Sequence, residues 1–526
     1  MMNLIPLMVG IPLGAGFVLA LMPKSKPRIS DLLANAAAVS LVCLAMALLG
    51  RTAVYKLGGW PPPLGINLVL DGLSWLMLAI VSVISFAATL FSVYYMDRYT
   101  GRPRYYALFM LMLAGMNGAI LSGDMFNLYV FVEIAAVSSY ALVGFGCQEE
   151  ELEAAFKYAV LGAVASAFIL LGVAVLYCLY GTVNMAHLSR QMAGVEAENM
   201  PRIFALCLLL VGLGLKSALV PFHAWLPDAH PSAPAPISAM LSGVLIKAIG
   251  VYALIRVMFS VFGITPEAAQ ALMWLGTLSM VVGVALALAQ WDFKRLLAYH
   301  SISQIGYVIL GVGVGGYLLA KQHQETVAAL AIVAGLFHLI NHAVFKSLLF
   351  FTAGSVEYRT GTRELKELGG LRERMPVTGG ASLVASLSIA GVPPFNGFVS
   401  KLMIIYACVH AHRYGYAFWA VVVSILTLAS FMKVQKYAFF GKLRENWQKV
   451  REVPFLMCAA MVLLSLLCLG MSLLAIPSAR ATVLDPAQKA LAGRNDYVQS
   501  VLGKETRAEK DTNRIQTAET EPWDED

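Results

Sequence analysis

The 526-residue chain is 59% hydrophobic and only 13% charged, with a mean hydropathy of +0.72. Soluble domains carry roughly 25% charged residues, so the composition excludes a soluble protein and reads as an integral membrane protein. The formal net charge of +7 follows from basic loops described below and implies no nucleic-acid partner.

A spanning helix needs about 20 apolar residues, and windows of that length predict about 14 spans. They start near residues 3, 31, 72, 106, 125, 155, 203, 236, 270, 295, 326, 378, 415 and 454. The fold class is therefore all-α and polytopic. The first apolar run has no basic residues before it, and Lys24, Lys26 and Arg28 follow it; it reads as a retained helix rather than a signal peptide. Loops after odd-numbered spans are basic, as in Arg98/Arg102/Arg104, Lys294/Arg295, Arg359/Arg363/Lys366/Arg372/Arg374 and Lys442/Arg444/Lys449/Arg451. Such loops stay in the cytoplasm. The reading is a multi-pass cell-membrane protein with both termini outside the cytoplasm.

Residues 1–477 form one membrane domain, followed by a polar, charge-mixed tail over 478–526 that is expected to be disordered or docked on a partner. Two spans are interrupted by proline. The seventh contains Lys216, Pro221, His223, Pro227, Asp228, His230 and Pro231; the twelfth contains Pro393, Pro394 and Lys401. Proline removes a backbone donor, and such breaks persist in a membrane only where protein or water satisfies the freed groups. Helices 7 and 12 lie five spans apart and each carries one lysine. That spacing predicts two five-helix inverted repeats, about 106–260 and 270–440, with a transport site in each.

Ionisable residues inside these runs carry the functional signal. Glu133, Lys216, Lys247, Lys346 and Lys401 all fall within or beside spans, where a charge costs at least a few kcal/mol. Burial favours the neutral form of an ionisable group, and a close opposite charge restores the charged one. A Glu133–Lys216 pair would therefore capture or release a proton as it closes or opens. The alternative is a packing salt bridge or a lysine reaching for the interface, and spacing does not say whether the two meet. His338, His342 and Lys346 are four apart and drift only about 40° per step around a helix, forming one polar stripe. Lys247 and Lys401 would be its neighbouring stations in a water-linked proton path.

His338 and His342 do not read as zinc ligands, because residue 339 is Leu rather than the glutamate of H-E-x-x-H and no third ligand is evident. No facing histidine pair suggests haem. The seven cysteines are scattered without C-x-x-C, so the chain offers no iron–sulfur ligand set. Gly311, Gly313 and Gly316 match G-x-G-x-x-G formally, but they lie in a membrane helix with no preceding strand. No cofactor or metal is expected, and there is no catalytic motif. His223, Asp228 and His230 either line an access path or cap the half-helix ends. Asp292, Lys294 and Arg295 open span 10 as an anchor, a subunit contact or part of the path, with His300 a turn and a half further in.

At these residues the chain resembles the antiporter-like proton-channel family shared by respiratory complex I, Mrp-type Na+/H+ antiporters and membrane-bound hydrogenases. The stretches that carry the resemblance are Phe126–Glu133, Lys216–His230, Asp292–Tyr299, Ser301–Tyr307, His342–Lys346 and Gly391–Lys401, within about 60–445. The resemblance implies a switch pair at Glu133 and Lys216, a linking Lys247, stations at His338, His342 and Lys346, and an exit at Lys401. Asp124-Met-Phe-Asn-Leu-Tyr-Val-Phe131 and Gly59–Gly65 look most like the D-type chains of Mrp antiporters. The expected function is proton translocation within a multisubunit Mrp-type cation/proton antiporter, with other membrane subunits as partners and H+ and Na+ as candidate ions. The alternative is a proton-pumping subunit of a redox complex of the NADH-quinone oxidoreductase or hydrogenase type, whose partners carry Fe-S clusters.

Overall fold

The computed structural model describes residues 2–23, 25–193 and 199–503. Helices α1 (Leu7–Leu21) and α2 (Pro27–Ala47) lead into a short antiparallel hairpin, β1 (Ala53–Lys56) with β2 (Asn67–Leu70), Ala53 opposite Leu70. The hairpin is the one departure from an all-α expectation, and it lies between spans. Then follow α3 (Gly72–Tyr95), α4 (Arg102–Leu121), α5 (Met125–Val143), α6 (Glu149–Tyr180), the short α7 (Met185–Met192) and α8 (Met200–Lys216). After a break come α9 (Leu226–Ser232), α10 (Ala235–Phe262), α11 (Pro266–Ala289), α12 (Phe293–Ala320) and α13 (Glu325–Thr360). A second interrupted pair, α14 (Pro376–Ala390) and α15 (Asn396–His410), precedes α16 (Tyr414–Phe439) and α17 (Phe455–Gly470).

Eleven described helices are long and apolar enough to cross a membrane; α1, α8–α9 and α14–α15 complete an arrangement consistent with about 14 passes. Each begins within a few residues of its expected start, because the sequence marks the starts chemically. Asp71 caps α3 in a reciprocal pair with Ser74, Asp124 and Asp292 cap α5 and α12, and proline occupies the first turn of α2, α11 and α14. Gly311 has no nucleotide role: a Cβ there would stand 3.0 Å from the backbone of Gly335, so it lets α12 and α13 approach closely.

The polar tail departs from expectation. Three helices, α18 (Pro477–Val483), α19 (Asp485–Ala492) and α20 (Arg494–Leu502), fold back on the chain's own membrane domain, with Leu484, Leu491, Tyr497 and Val501 buried. Residues 504–526 of that tail lie outside the described residues. α19 packs on α3 and α20 on α7, so hairpin and tail helices share one face of the molecule, the hairpin face. The loops Arg98–Arg102, Thr360–Met375 and Gly441–Pro454 lie on the opposite, basic face.

The hairpin face is pinned by an ion pair. Arg256 in α10 donates to Asp71 at 2.8 Å, both side chains largely buried, and its guanidinium lies 5.4 Å from the ring centroids of both Tyr252 and Tyr497. Asp71→Ala should therefore cost on the order of 3–5 kcal/mol, by orphaning a buried arginine and uncapping α3. The measurement is a thermal unfolding curve of purified protein; a melting point unchanged from wild type would refute it.

Candidate functional site

Glu133 sits in the middle of α5, and Lys216 is the last residue of α8, where that helix breaks. Lys216 Nζ donates to Glu133 Oε1 at 3.2 Å and lies 3.3 Å from the hydroxyl of Tyr140. The Ser166 hydroxyl of α6 also donates to Glu133 Oε1. The contact that spacing left open is thus made. The two sides of the pair differ: the Lys216 side chain is 2% exposed and that of Glu133 27%.

The α8–α9 break is held by protein. Ala218 takes a positive φ of 54°, Leu219 N–H returns to Gly214 O, Val220 N–H donates to Ser279 Oγ, and Trp225 Nε1 donates to Leu215 O at 3.0 Å. Trp225 stacks on Tyr158 at 4.1 Å. The groups that proline releases are therefore satisfied within the fold, as a membrane interior requires.

Side-chain contacts lead from this pair to the other stations. Ser217, next to Lys216, packs on Gly250 of α10, where a Cβ would lie 2.6 Å from Ser217 Oγ. Lys247 lies three residues earlier, in a π-helical stretch over Leu241–Tyr252, and donates to the Ser242 carbonyl. Further along α10, Gly243 packs on Ser347 of α13, next to Lys346. Lys346 is fully buried, and its Nζ has no hydrogen-bond partner among the described residues; the same holds for both ring nitrogens of His342. The His338 ring stands 6.5 Å from that of His342, and its Nδ1 is 3.0 Å from Ser400 Oγ in α15. Lys401, the next residue, donates to Ile389 O at 2.7 Å at the end of α14. Tyr307 bridges the last two stations, 5.4 Å from the His338 ring and 4.8 Å from Lys401 Nζ. Glu133 and the buried Lys216, Lys247, Lys346, His342, His338 and Lys401 thus form a line of candidate residues over α5, α8, α10, α13 and α15, the last four of which pack in succession.

The four candidate access residues separate. His230 is fully buried, 5.0 Å from the Phe350 ring, with neither ring nitrogen partnered among the described residues. His300 is buried against Phe431, with Nε2 2.8 Å from Ser430 Oγ. His223 is half-buried at the break. Asp228 bridges Lys157 and Arg295 at 3.3 and 3.7 Å on the basic face, a tie between helix ends rather than part of the buried line.

Sequence reasoning missed several partners. Ser166 and Tyr140 are an ordinary serine and tyrosine in the sequence, and only helix packing brings them to Glu133 and Lys216. Glu357 was also missed. It accepts from buried Lys294 at 2.9 Å and lies 3.7 Å from Arg363, which pairs with Asp292 at 3.1 Å. Lys294 donates as well to Ala233 O, three residues from His230, so it is embedded under the basic face rather than a surface anchor. Arg256 and Asp71 were missed too, although an arginine inside the apolar run Ala235–Phe262 was a readable signal.

The chain is similar to known membrane proteins over most of its length. Residues 122–427 match the family model described as NADH:quinone oxidoreductase/Mrp antiporter, TM, and residues 63–106 match the complex I chain 5 N-terminus model. The N-type subunit of the NADH-quinone oxidoreductase of Desulforudis audaxviator is 36% identical over 460 residues, 85% of this chain and 89% of that one. The D-type subunit of the Na(+)/H(+) antiporter of Alkalihalophilus pseudofirmus is 34% identical over 448 residues, 84% and 88% of the two chains. A chain of the Mrp complex from a Dietzia species superposes with a TM-score of 0.86 at 30% identity, covering 96% of this chain and 100% of that one. A chain of an archaeal respiratory complex, the membrane-bound sulfane sulfur reductase, gives 0.84 at 29% identity, covering 95% and 100%. The protein belongs to the antiporter-like membrane subunit family shared by NADH:quinone oxidoreductases and Mrp antiporters.

Proposed function

We propose that this chain is the proton-translocating subunit of a multisubunit Mrp-type cation/proton antiporter. The observation that carries the reading is the Glu133–Lys216 ion pair, with Lys247, Lys346, His342, His338 and Lys401 buried on the successively packed α10, α13 and α15. Glu133–Lys216 acts as the switch. When the pair is closed, each charge is stabilised by the other; when it opens, the cost of an isolated charge in the membrane drives proton capture or release. Lys247 links this half, about residues 106–260, to the stations in the second half, about 270–440. Waters joined to the unpartnered nitrogens of His342 and Lys346 complete the relay, His230 and Lys294 give access from the basic face, and Lys401 is the exit. A membrane potential contributes about 2.3 kcal/mol per charge per 100 mV, enough to bias a buried pair. Both termini lie outside the cytoplasm in this arrangement.

The exposure of Glu133 argues for a partner. Phe126, Val130 and Val137 are 48%, 38% and 59% exposed on the same stripe of α5, so the carboxylate opens onto the lateral surface at mid-membrane depth. A carboxylate facing lipid there is costly; a neighbouring membrane subunit covers it. A second reading, a proton-pumping subunit of a redox complex, is favoured by the 36% identity to a chain named as a quinone oxidoreductase subunit. Purification of the tagged complex in mild detergent, with an iron assay, separates the two. Iron with soluble cluster-binding subunits selects the redox complex, and an iron-free assembly of membrane subunits selects the antiporter.

Glu133→Gln should abolish Na+-dependent dissipation of a pH gradient in inverted vesicles while the complex still assembles. Wild-type exchange by that variant would remove the switch assignment. Gly162→Ala tests positioning without touching a charge. A Cβ at Gly162 would fall 1.8 Å from the Tyr140 hydroxyl, so the variant should displace Tyr140 from Lys216 and slow exchange several-fold at unchanged expression.

A further inference from the structure

Between α14 and α16, near the basic face, lies a crevice of about 340 Å³, within the size range of ligand sites. Its walls are apolar, formed by Leu387, Leu428, Phe431 and Met432, and Lys436 and Phe440 close one end. Met432 is 63% exposed and Phe440 38%, so the crevice opens sideways, toward the membrane. One polar group breaks the lining. Gln435 is 7% exposed; its amide donates to Ser382 and Ser386 at 2.9 Å, and its Oε1 has no partner. It opens a short π-helical turn, Gln435–Phe439, a feature frequent at functional sites.

The charges around the open end are predominantly basic. Arg372 lies 5.1 Å from the Phe440 ring, and Lys433 and Lys366 lie 5.0 and 4.5 Å from the Trp291 ring. Tyr437 meets Trp291 edge-on at 5.1 Å, so an aromatic belt marks the membrane interface at this level. Lys433 is taken up by the carbonyls of Leu288 and Gln290. Lys436 and Arg372 have no carboxylate within ion-pair distance among the described residues. The acids nearby in sequence are Glu367, which accepts from Thr362, and Glu373.

We propose that this crevice binds one anionic phospholipid. An acyl chain lies along Leu387, Leu428 and Phe431, and the phosphate sits between Lys436 and Arg372 at the basic face. An apolar slot with basic residues at its interfacial end fits that chemistry, since anionic lipids concentrate beside such residues. The lipid would also screen the flank of His300, which Phe431 separates from the crevice.

The test uses the intact purified complex in mixed phosphatidylglycerol/phosphatidylcholine nanodiscs, with retained lipid read by native mass spectrometry after detergent release. Wild type should retain phosphatidylglycerol over phosphatidylcholine. The double variant Lys436→Gln/Arg372→Gln should lose that preference, by roughly five-fold for each charge removed, while keeping a lipid. Leu387→Trp, which fills the slot, should lose the lipid itself. Equal retention of both lipids by wild type would overturn the proposal, as would unchanged phosphatidylglycerol retention in Leu387→Trp. A photo-crosslinker at Met432 that captured a protein subunit instead of lipid would overturn it as well.

Discussion

Burying positive charge with almost no negative charge to answer it is the constraint that shapes this molecule. Four lysines occupy the line between the membrane faces, and one carboxylate, Glu133, pairs with one of them, Lys216. The fold answers with helix irregularities placed beside the lysines. Lys216 ends α8 at its break, Lys247 lies in a π-helical stretch and meets the Ser242 carbonyl, and Lys401 meets the Ile389 carbonyl where α14 stops. Regular helix consumes its own carbonyls, and the end of α14 leaves the Ile389 carbonyl as an acceptor for Lys401. Lys346 is the exception: it stands in unbroken α13, its Nζ 5.8 Å from the Phe350 ring and without a hydrogen-bond partner among the described residues. Its charge is the least supported of the four, which makes it the station most dependent on water and on the histidines beside it.

Both faces of the domain close on ion pairs of a different kind. Arg256–Asp71 on the hairpin face and Lys294–Glu357 with Arg363–Asp292 on the basic face are matched in charge. A matched pair is hard to open, because removing one partner strands the other. Beyond the Glu133–Lys216 pair the central line is unmatched, so on the proposed reading those residues can gain or lose a proton without stranding an opposite charge. Fixed pairs at the ends and mismatched charge in the middle are what a conducting interior held in a stable frame requires.

The sequence displayed what depends on single segments and concealed what depends on pairs of them. Span starts were legible because caps and first-turn prolines are local, and the seven candidate residues stood out because an ionisable group in an apolar run is conspicuous. Ser166, Tyr140 and Glu357 were not, since serine, tyrosine and a glutamate near a helix end are ordinary until packing places them. The tail misled for a related reason. Its helices α19 and α20 are short and polar overall, yet Leu484, Leu491, Tyr497 and Val501 fall on one side and bury against α3 and α7. Composition averages over that side and reads disorder.

The two interrupted helices are not copies of each other, and the difference bears on direction. Lys216 precedes its break, whereas Lys401 follows the break between α14 and α15. Lys216 also has a carboxylate partner, whereas Lys401 meets a carbonyl, the Ser424 hydroxyl and the Tyr307 ring, with no carboxylate in ion-pair reach among the described residues. A proton moving between identical sites has no preferred end; one moving between a paired and an unpaired lysine does. The paired end is also the end at the lateral surface, through the partly exposed Glu133. Whatever covers that carboxylate in the assembled complex changes its solvation, and through the pair changes the energy of the first station alone. On the proposed reading, a neighbour acting at Glu133 therefore sets the bias of the whole line without contacting the rest of it.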